Sequence, residues 1–198
     1  MKQKSFILFM ALMAFSFETQ AETQTFQCGD NCTATLDDNG VMRVSGTGQM
    51  WGYDNNERWH TPWYSQNPKI KHLIIEDGIT NVGKNAFFLA YKIEKIELAQ
   101  TVQTVDIGAF DEVDSVKSMT IYDSTVFKDQ DDFMAYGKYE NFKVNCYGNL
   151  ETCKQNLTSK SPKIKAIPQF NYKGKRIYTV EEANMVTGKK NKVMIRYK

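Results

Sequence analysis

The sequence predicts a mainly β chain with short helices, wound into a solenoid of about 2.5 coils. Three observations predict it. Apolar residues recur at an offset of 23: Ile70, Leu73 and Ile75 align with Ile93, Ile96 and Leu98, and these with Val116, Met119 and Ile121. The register outlasts that unit, because Ile79 matches Val102, Val82 matches Val105, and Ala86-Phe87 matches Ala109-Phe110. The composition also suits a packed core, since the 198 residues are 41% hydrophobic and 13% aromatic. That length supports one ordinary domain but not comfortably two. With Gly 12 and Pro 4 the chain is neither collagen-like nor a linker, and it is too apolar for disorder.

Leu73-x-Ile75 and its copies alternate with period two. Those side chains therefore share one face of a short strand, and their neighbours point the opposite way. Ala86-Phe87 and Ala109-Phe110 are expected to fold back over the strands and fill the coil. A single unit cannot bury such a face, whereas stacked neighbours can. Each buried Leu, Ile or Phe contributes about 1.5–3 kcal/mol. So short an array is marginal against the entropy of ordering it, and its ends must be capped. The third copy loses the pattern after Ile121, as a terminal repeat often does.

Residues 1–21 read as a secretory signal. Lys2 and Lys4 precede an apolar run from Phe6 to Phe17, and Thr19 and Ala21 occupy the small-residue positions of a cleavage site. The run is too short to span a bilayer, which takes about 20 apolar residues. Export makes disulfides the expected state of Cys28, Cys32, Cys146 and Cys153. Of the possible connectivities the local one, Cys28–Cys32 and Cys146–Cys153, is preferred, because each bond closes a small loop at one end of the array. The rival, a zinc site, lacks the CxxC spacing.

Residues 22–68 form the expected N-terminal cap. Thr33–Leu36 and Val41–Val44 flank Asp37-Asp-Asn-Gly40, and Asn-Gly is a strong hairpin signal. Trp51, Trp59 and Trp63 follow, with Tyr53 and Tyr64 among them. They read as a lid sealing the first coil; a sugar-binding platform is the alternative. His60 and His72 have no neighbouring nucleophile and no metal-ligand spacing, and read as ordinary polar residues.

Residues 69–127 hold the repeats, and residues 128–168 a repeat remnant, the second disulfide loop and a connector. Asp129, Asp131 and Asp132 lack the glycine and distal glutamate of a calcium loop, so a solvated turn is expected. Residues 154–168 are rich in Lys, Ser and Pro and read as the connector. Asn31-Cys-Thr33 and Asn156-Leu-Thr158 fit the N-glycosylation pattern. Residues 169–198 form a basic C-terminal β-α-β segment. Its first strand is Arg176–Tyr178; its helix is capped by Thr179 and Glu182 and stopped by Gly188; its second strand is Val193–Ile195 with Tyr197.

The stretch from Ile70 to Phe87, with its strand, turn, Val82-Gly83 and Ala86-Phe87, resembles a leucine-rich repeat of the BspA type, found in bacterial surface and secreted proteins. The lead-in from Cys28 through Gly40 and Gly48 to Pro62-Trp63-Tyr64 is similar to the segment that precedes such arrays. Together these cover about residues 28–122. Val105-Asp-Ile-Gly108 departs from the pattern by displacing the glycine of the first copy. The resemblance implies a short leucine-rich-repeat solenoid and a non-enzymatic interaction protein, sometimes an adhesin. Its bacterial setting argues against use of the glycosylation sites.

The net charge of +2 conceals an asymmetry: residues 22–153 hold 11 Lys/Arg against 20 Asp/Glu, and residues 154–198 hold 12 against 2. The total gives no wholesale affinity for nucleic acid or membrane. The basic segment reads as a solvated surface complementing the acidic body, with a patch for anionic polymers such as lipopolysaccharide or nucleic acid as the alternative. No nucleophile with a base, carboxylate pair, phosphate loop or metal spacing occurs, so neither enzymatic activity nor a cofactor or metal is expected. The expected partner is a protein or glycan, read by the outward strand residues His72, Ile74, Glu76, Lys95, Glu97, Ser118, Thr120 and Tyr122. The protein is expected to be a monomer, exported to the periplasm, cell surface or medium. An assembly component docking through its basic segment is the second reading, and a small hydrolase the third.

Overall fold

The computed structural model describes residues 22–128, 142–158 and 169–174. The expected signal segment, the aspartates at 129, 131 and 132, and the strand–helix–strand elements from Arg176 to Tyr197 lie outside the described residues.

The chain opens as an antiparallel meander of β1 Gln24–Gly29, β2 Cys32–Leu36 and β3 Val41–Gly46. The later strands are β4 Gly48–Gln49, β5 His72–Ile75, β6 Ile79–Val82, β7 Lys95–Leu98 and β8 Thr104–Val105. They continue with β9 Ser118–Tyr122, β10 Val126–Phe127, β11 Lys143–Tyr147 and β12 Gln169–Gly174. Among the described residues short 3-10 turns occupy Arg58–His60 and Tyr64–Lys69, and one helix, α1, spans Leu150–Thr158. The larger sheet runs β1-β2-β3-β5-β7-β9-β11-β12 and the smaller β10-β8-β6-β4. Beyond the meander every pairing among the described residues is parallel. The architecture is thus mainly β with few short helices.

The period of 23 is the pairing register itself. Leu73 lies opposite Ile96, and Ile96 opposite Met119. The same ladder reaches back to Met42 on β3 and on to Val144 on β11, and all five side chains are 0% exposed. A second ladder places Val44 against Ile75 and Ile75 against Leu98. Inside the coil an aromatic column crosses between units. Phe87 stacks on Trp63 at 5.5 Å and on Phe110 at 5.8 Å. Trp63 Nε1 donates to the carbonyl of Ala86 at 3.0 Å, and Phe87 N to the carbonyl of Ala109 at 2.9 Å. Trp63 is fully buried, whereas Trp51 and Trp59 stay 42% and 43% exposed.

The displaced glycine has a physical reason. Asn85 and Gly108, one period apart, both take the left-handed backbone, with φ of 54° and 66°; asparagine and glycine are the residues that do so at least cost. Gly83 meets a different demand, since a Cβ there would run into the carbonyl oxygen of Trp51. Its counterpart in the next unit, Asp106, keeps a side chain that accepts from Asn81 Nδ2 at 3.3 Å. The two glycines are therefore not one glycine moved.

Several expectations need correction. The third unit does not end at Ile121: β10 pairs in parallel with β8, Phe127 opposite Val105. Thr125, one period beyond Val102, is 0% exposed and its hydroxyl donates to the Val102 carbonyl at 3.0 Å. A hydroxyl at an apolar position hid the match. The connector expected from residue 154 gives way over its first residues to α1, which buries Cys153 and Leu157. The unforeseen strands include β1, β11 and β12. Of these, β12 precedes the expected strand at Arg176. Cys146 and Cys153 are joined by a disulfide. Cys28 and Cys32 instead carry free thiols, buried with their Sγ atoms 3.0 Å apart. Burial, foremost, raises both thiol pKa values.

Candidate functional site

Alternation along each strand sends every second side chain out of the larger sheet, and parallel register lines these up across the rungs. One row runs His72, Lys95, Ser118 and Lys143. The next runs Arg43, Ile74, Glu97, Thr120 and Asn145. At the strand ends Tyr122 lies opposite Tyr147, with the rings stacked at 5.1 Å. The structure therefore gathers the eight expected residues on the outer side of three adjacent rungs.

They are not equally available. Ile74 is half-buried, and Tyr122 is 5% exposed beneath its neighbour, so it serves as a floor rather than as a protruding contact. Glu97 is the electrostatic centre. His72 Nε2 lies 2.7 Å from its Oε1, and Lys95 Nζ contacts the same oxygen. Partial burial pushes the Glu97 carboxyl pKa up, but the hydrogen bonds and charges of Lys95 and His72 outweigh it and hold the group below the usual glutamate range. Glu76 faces Arg43 at 3.5 Å. A carboxylate held ionised by two donors is suited to a fixed polar contact and poorly suited to general-acid work, which needs a raised pKa.

A groove of about 630 Å³ opens along these rungs, lined by Ile74, Glu76, Asp77, Glu97, Thr120, Tyr122 and Tyr147 among others. Sequence reasoning missed Arg43, Asp77 and Tyr147. Tyr147 escaped because β11 starts 25 residues after β9, out of step with the repeat. The alternation of Val144 and Cys146 was the available signal. Among the described residues no group of three His, Cys, Asp or Glu is placed to hold a metal ion.

Stacked parallel rungs of one repeating unit, with an inward aliphatic ladder and an outward polar one, define a solenoid repeat protein. The family model for the BspA type leucine rich repeat region matches residues 62–179 in six copies, and the chain belongs to that family. The family is one of protein-interaction repeats, generally non-enzymatic, whose members are typically surface or secreted bacterial proteins. A crystal structure of a leucine-rich repeat protein from Eubacterium ventriosum ATCC 27560 is similar, with 23% identity and a TM-score of 0.47. The match covers 63% of this chain and 44% of that one. A search of curated proteins returns no match. Among the described residues no helix is long and apolar enough to cross a membrane.

Proposed function

We propose that this is an exported, non-enzymatic protein that binds a protein or glycan ligand, adhesin-like or in host or envelope contact, through the outer face of its larger sheet. The observation that carries the reading is the in-register outward ladder of His72, Lys95, Glu97, Ser118 and Thr120 beside a groove floored by Ile74 and Tyr122. Fixed hydrogen-bonding groups on rigid rungs, next to apolar and aromatic surface, are what a recognition site needs. The basic apolar segment at residues 1–21 supports export to the periplasm, surface or medium.

Binding of the full chain to immobilised mucin, host-matrix proteins and glycans tests this, with the charge reversals Lys95→Glu and Glu97→Lys. Each reversal is expected to weaken the captured interaction at least about tenfold, since a charged hydrogen bond is worth about 1.5–3 kcal/mol. Unchanged binding in both variants would remove the face from the site. The charge asymmetry between residues 22–153 and 154–198 supports a second reading, an assembly component docking through its basic segment. Deleting residues 175–198 with the fold retained would abolish association on that reading and spare it on the first.

A further inference from the structure

The segment between β4 and β5 carries a cluster that the sheet face does not use. Trp59, on the turn Arg58–His60, is 43% exposed. It stands edge-on to Tyr64 at 5.8 Å and to Phe88 at 5.0 Å. The Arg58 guanidinium lies over both Phe88, at 4.3 Å, and Trp59, at 5.0 Å. Cation–π contacts of this kind hold the guanidinium in place without satisfying its N–H groups. Among the described residues Arg58 has no ion-pair partner, and its Nε is buried without an acceptor. Asp54, on the same stretch, is engaged by Lys84 Nζ at 2.9 Å.

The other two tryptophans make the contrast. Trp51 Nε1 donates to Asp30 Oδ1 at 3.1 Å and Trp63 Nε1 to the Ala86 carbonyl at 3.0 Å. The indole N–H of Trp59 has no acceptor among the described residues. An exposed aromatic, a stacked guanidinium and unused donors thus converge at one place.

We propose that Arg58 and Trp59 form a binding site for a carboxylated sugar of the uronic- or sialic-acid type, as part of an acidic glycan. The guanidinium takes the carboxylate as a bidentate partner. The exposed indole packs against the C–H face of the pyranose ring, and its N–H donates to a hydroxyl or ring oxygen. The chemistry favours a sugar over an acidic peptide. Residues 50–71 contain no strand, so no backbone ladder is on offer to an extended chain. The site is separate from the sheet face, and either can fail without the other.

Calorimetric titration of the full chain with sialyllactose, tetragalacturonate and neutral lactose tests the assignment, with Trp fluorescence as a second readout. Both acidic probes are expected to bind at least about tenfold more tightly than lactose. Arg58→Gln should erase that preference, and Arg58→Lys should recover only part of it, because an ammonium lacks the planar fork. Trp59→Ala should lose binding of both acidic probes. Retained melting temperatures identify folded variants. Absence of binding by the unmodified chain, equal affinity for lactose and the acidic sugars, or a preference surviving in Arg58→Gln would overturn the proposal. So would tighter binding of poly-glutamate than of either acidic sugar.

Discussion

Phe87 offers the sharpest perturbation of the architecture. Its ring is 0% exposed and stacks on Trp63 and Phe110, which come from the preceding segment and the following unit. Truncating it to alanine removes a fully buried aromatic and leaves a cavity that its stiff neighbours cannot close. A substitution of that kind costs about 3–5 kcal/mol. The two stacked contacts place Phe87→Ala in the upper part of the range, since each is worth about 0.5–1.5 kcal/mol beyond burial. Against a domain stability of about 5–15 kcal/mol this is a large share. Urea unfolding followed by circular dichroism reads the loss, and Phe87→Leu should cost roughly half as much because most of the volume remains. A double-mutant cycle with Phe110→Leu isolates the stacking, with an expected coupling of about 0.5–1.5 kcal/mol. Loss below about 1 kcal/mol in Phe87→Ala at an unchanged denaturant slope, or zero coupling in the cycle, would refute the idea that this column ties the units together.

Three further outcomes follow from particular residues. Gly108→Ala should cost at least about 1–2 kcal/mol, because a left-handed backbone disfavours Cβ and the added carbon would run into Asn85 Oδ1; thermal melting of the variant checks it. Cys28 and Cys32, as buried free thiols, should resist labelling in the folded chain and become labelled on denaturation without a reductant, which a thiol count on the full chain checks. Glu97 titrates lower in the folded chain than its ordinary value of about 4.3. Its contribution to stability is therefore complete above that value and disappears as pH falls through the lower folded pKa. Melting temperatures from pH 3 to pH 6 should show an acid limb that flattens in the variant Lys95→Ala/His72→Gln.

The interior was legible where it was aliphatic and regular. Leu73, Ile96 and Met119 announce themselves by spacing, and the hairpin at Asp37-Asp-Asn-Gly40 by its turn chemistry. Legibility ended where a position kept its geometry and changed its chemistry. Thr125 replaces Val102 by turning a hydroxyl onto a neighbour's carbonyl, and Asn85 replaces Gly108 because both tolerate the left-handed backbone. A search for apolar or glycine identity passes over both. Spacing hid the rest: β11 and β12 continue the parallel sheet at intervals other than 23, so Tyr147 was invisible as a lining residue of the groove. Arg58 left no trace of another kind. Nothing in the order of residues 57–59 says that the guanidinium lies on two rings instead of on a carboxylate.

Inner and outer ladders are one constraint seen from two sides. Side chains alternate along a strand, so a slip of one residue would send Leu73 outward and His72 into the core. The core residues Met42, Leu73, Ile96, Met119 and Val144 therefore determine which residues line the outer rows, although none of the five belongs to them. The contact of His72 and Lys95 with Glu97 depends on that registration: it spans β5 and β7 because Ile74 lies opposite Glu97, as Leu73 lies opposite Ile96. An aliphatic interior tolerates conservative exchange and still holds its register. The outer rows carry no such burden, since each side chain there can be replaced without moving the strand beneath it. Such a division leaves the recognition chemistry free to vary while the scaffold stays fixed, and it explains why the repeat is easy to read in this sequence and the ligand is not.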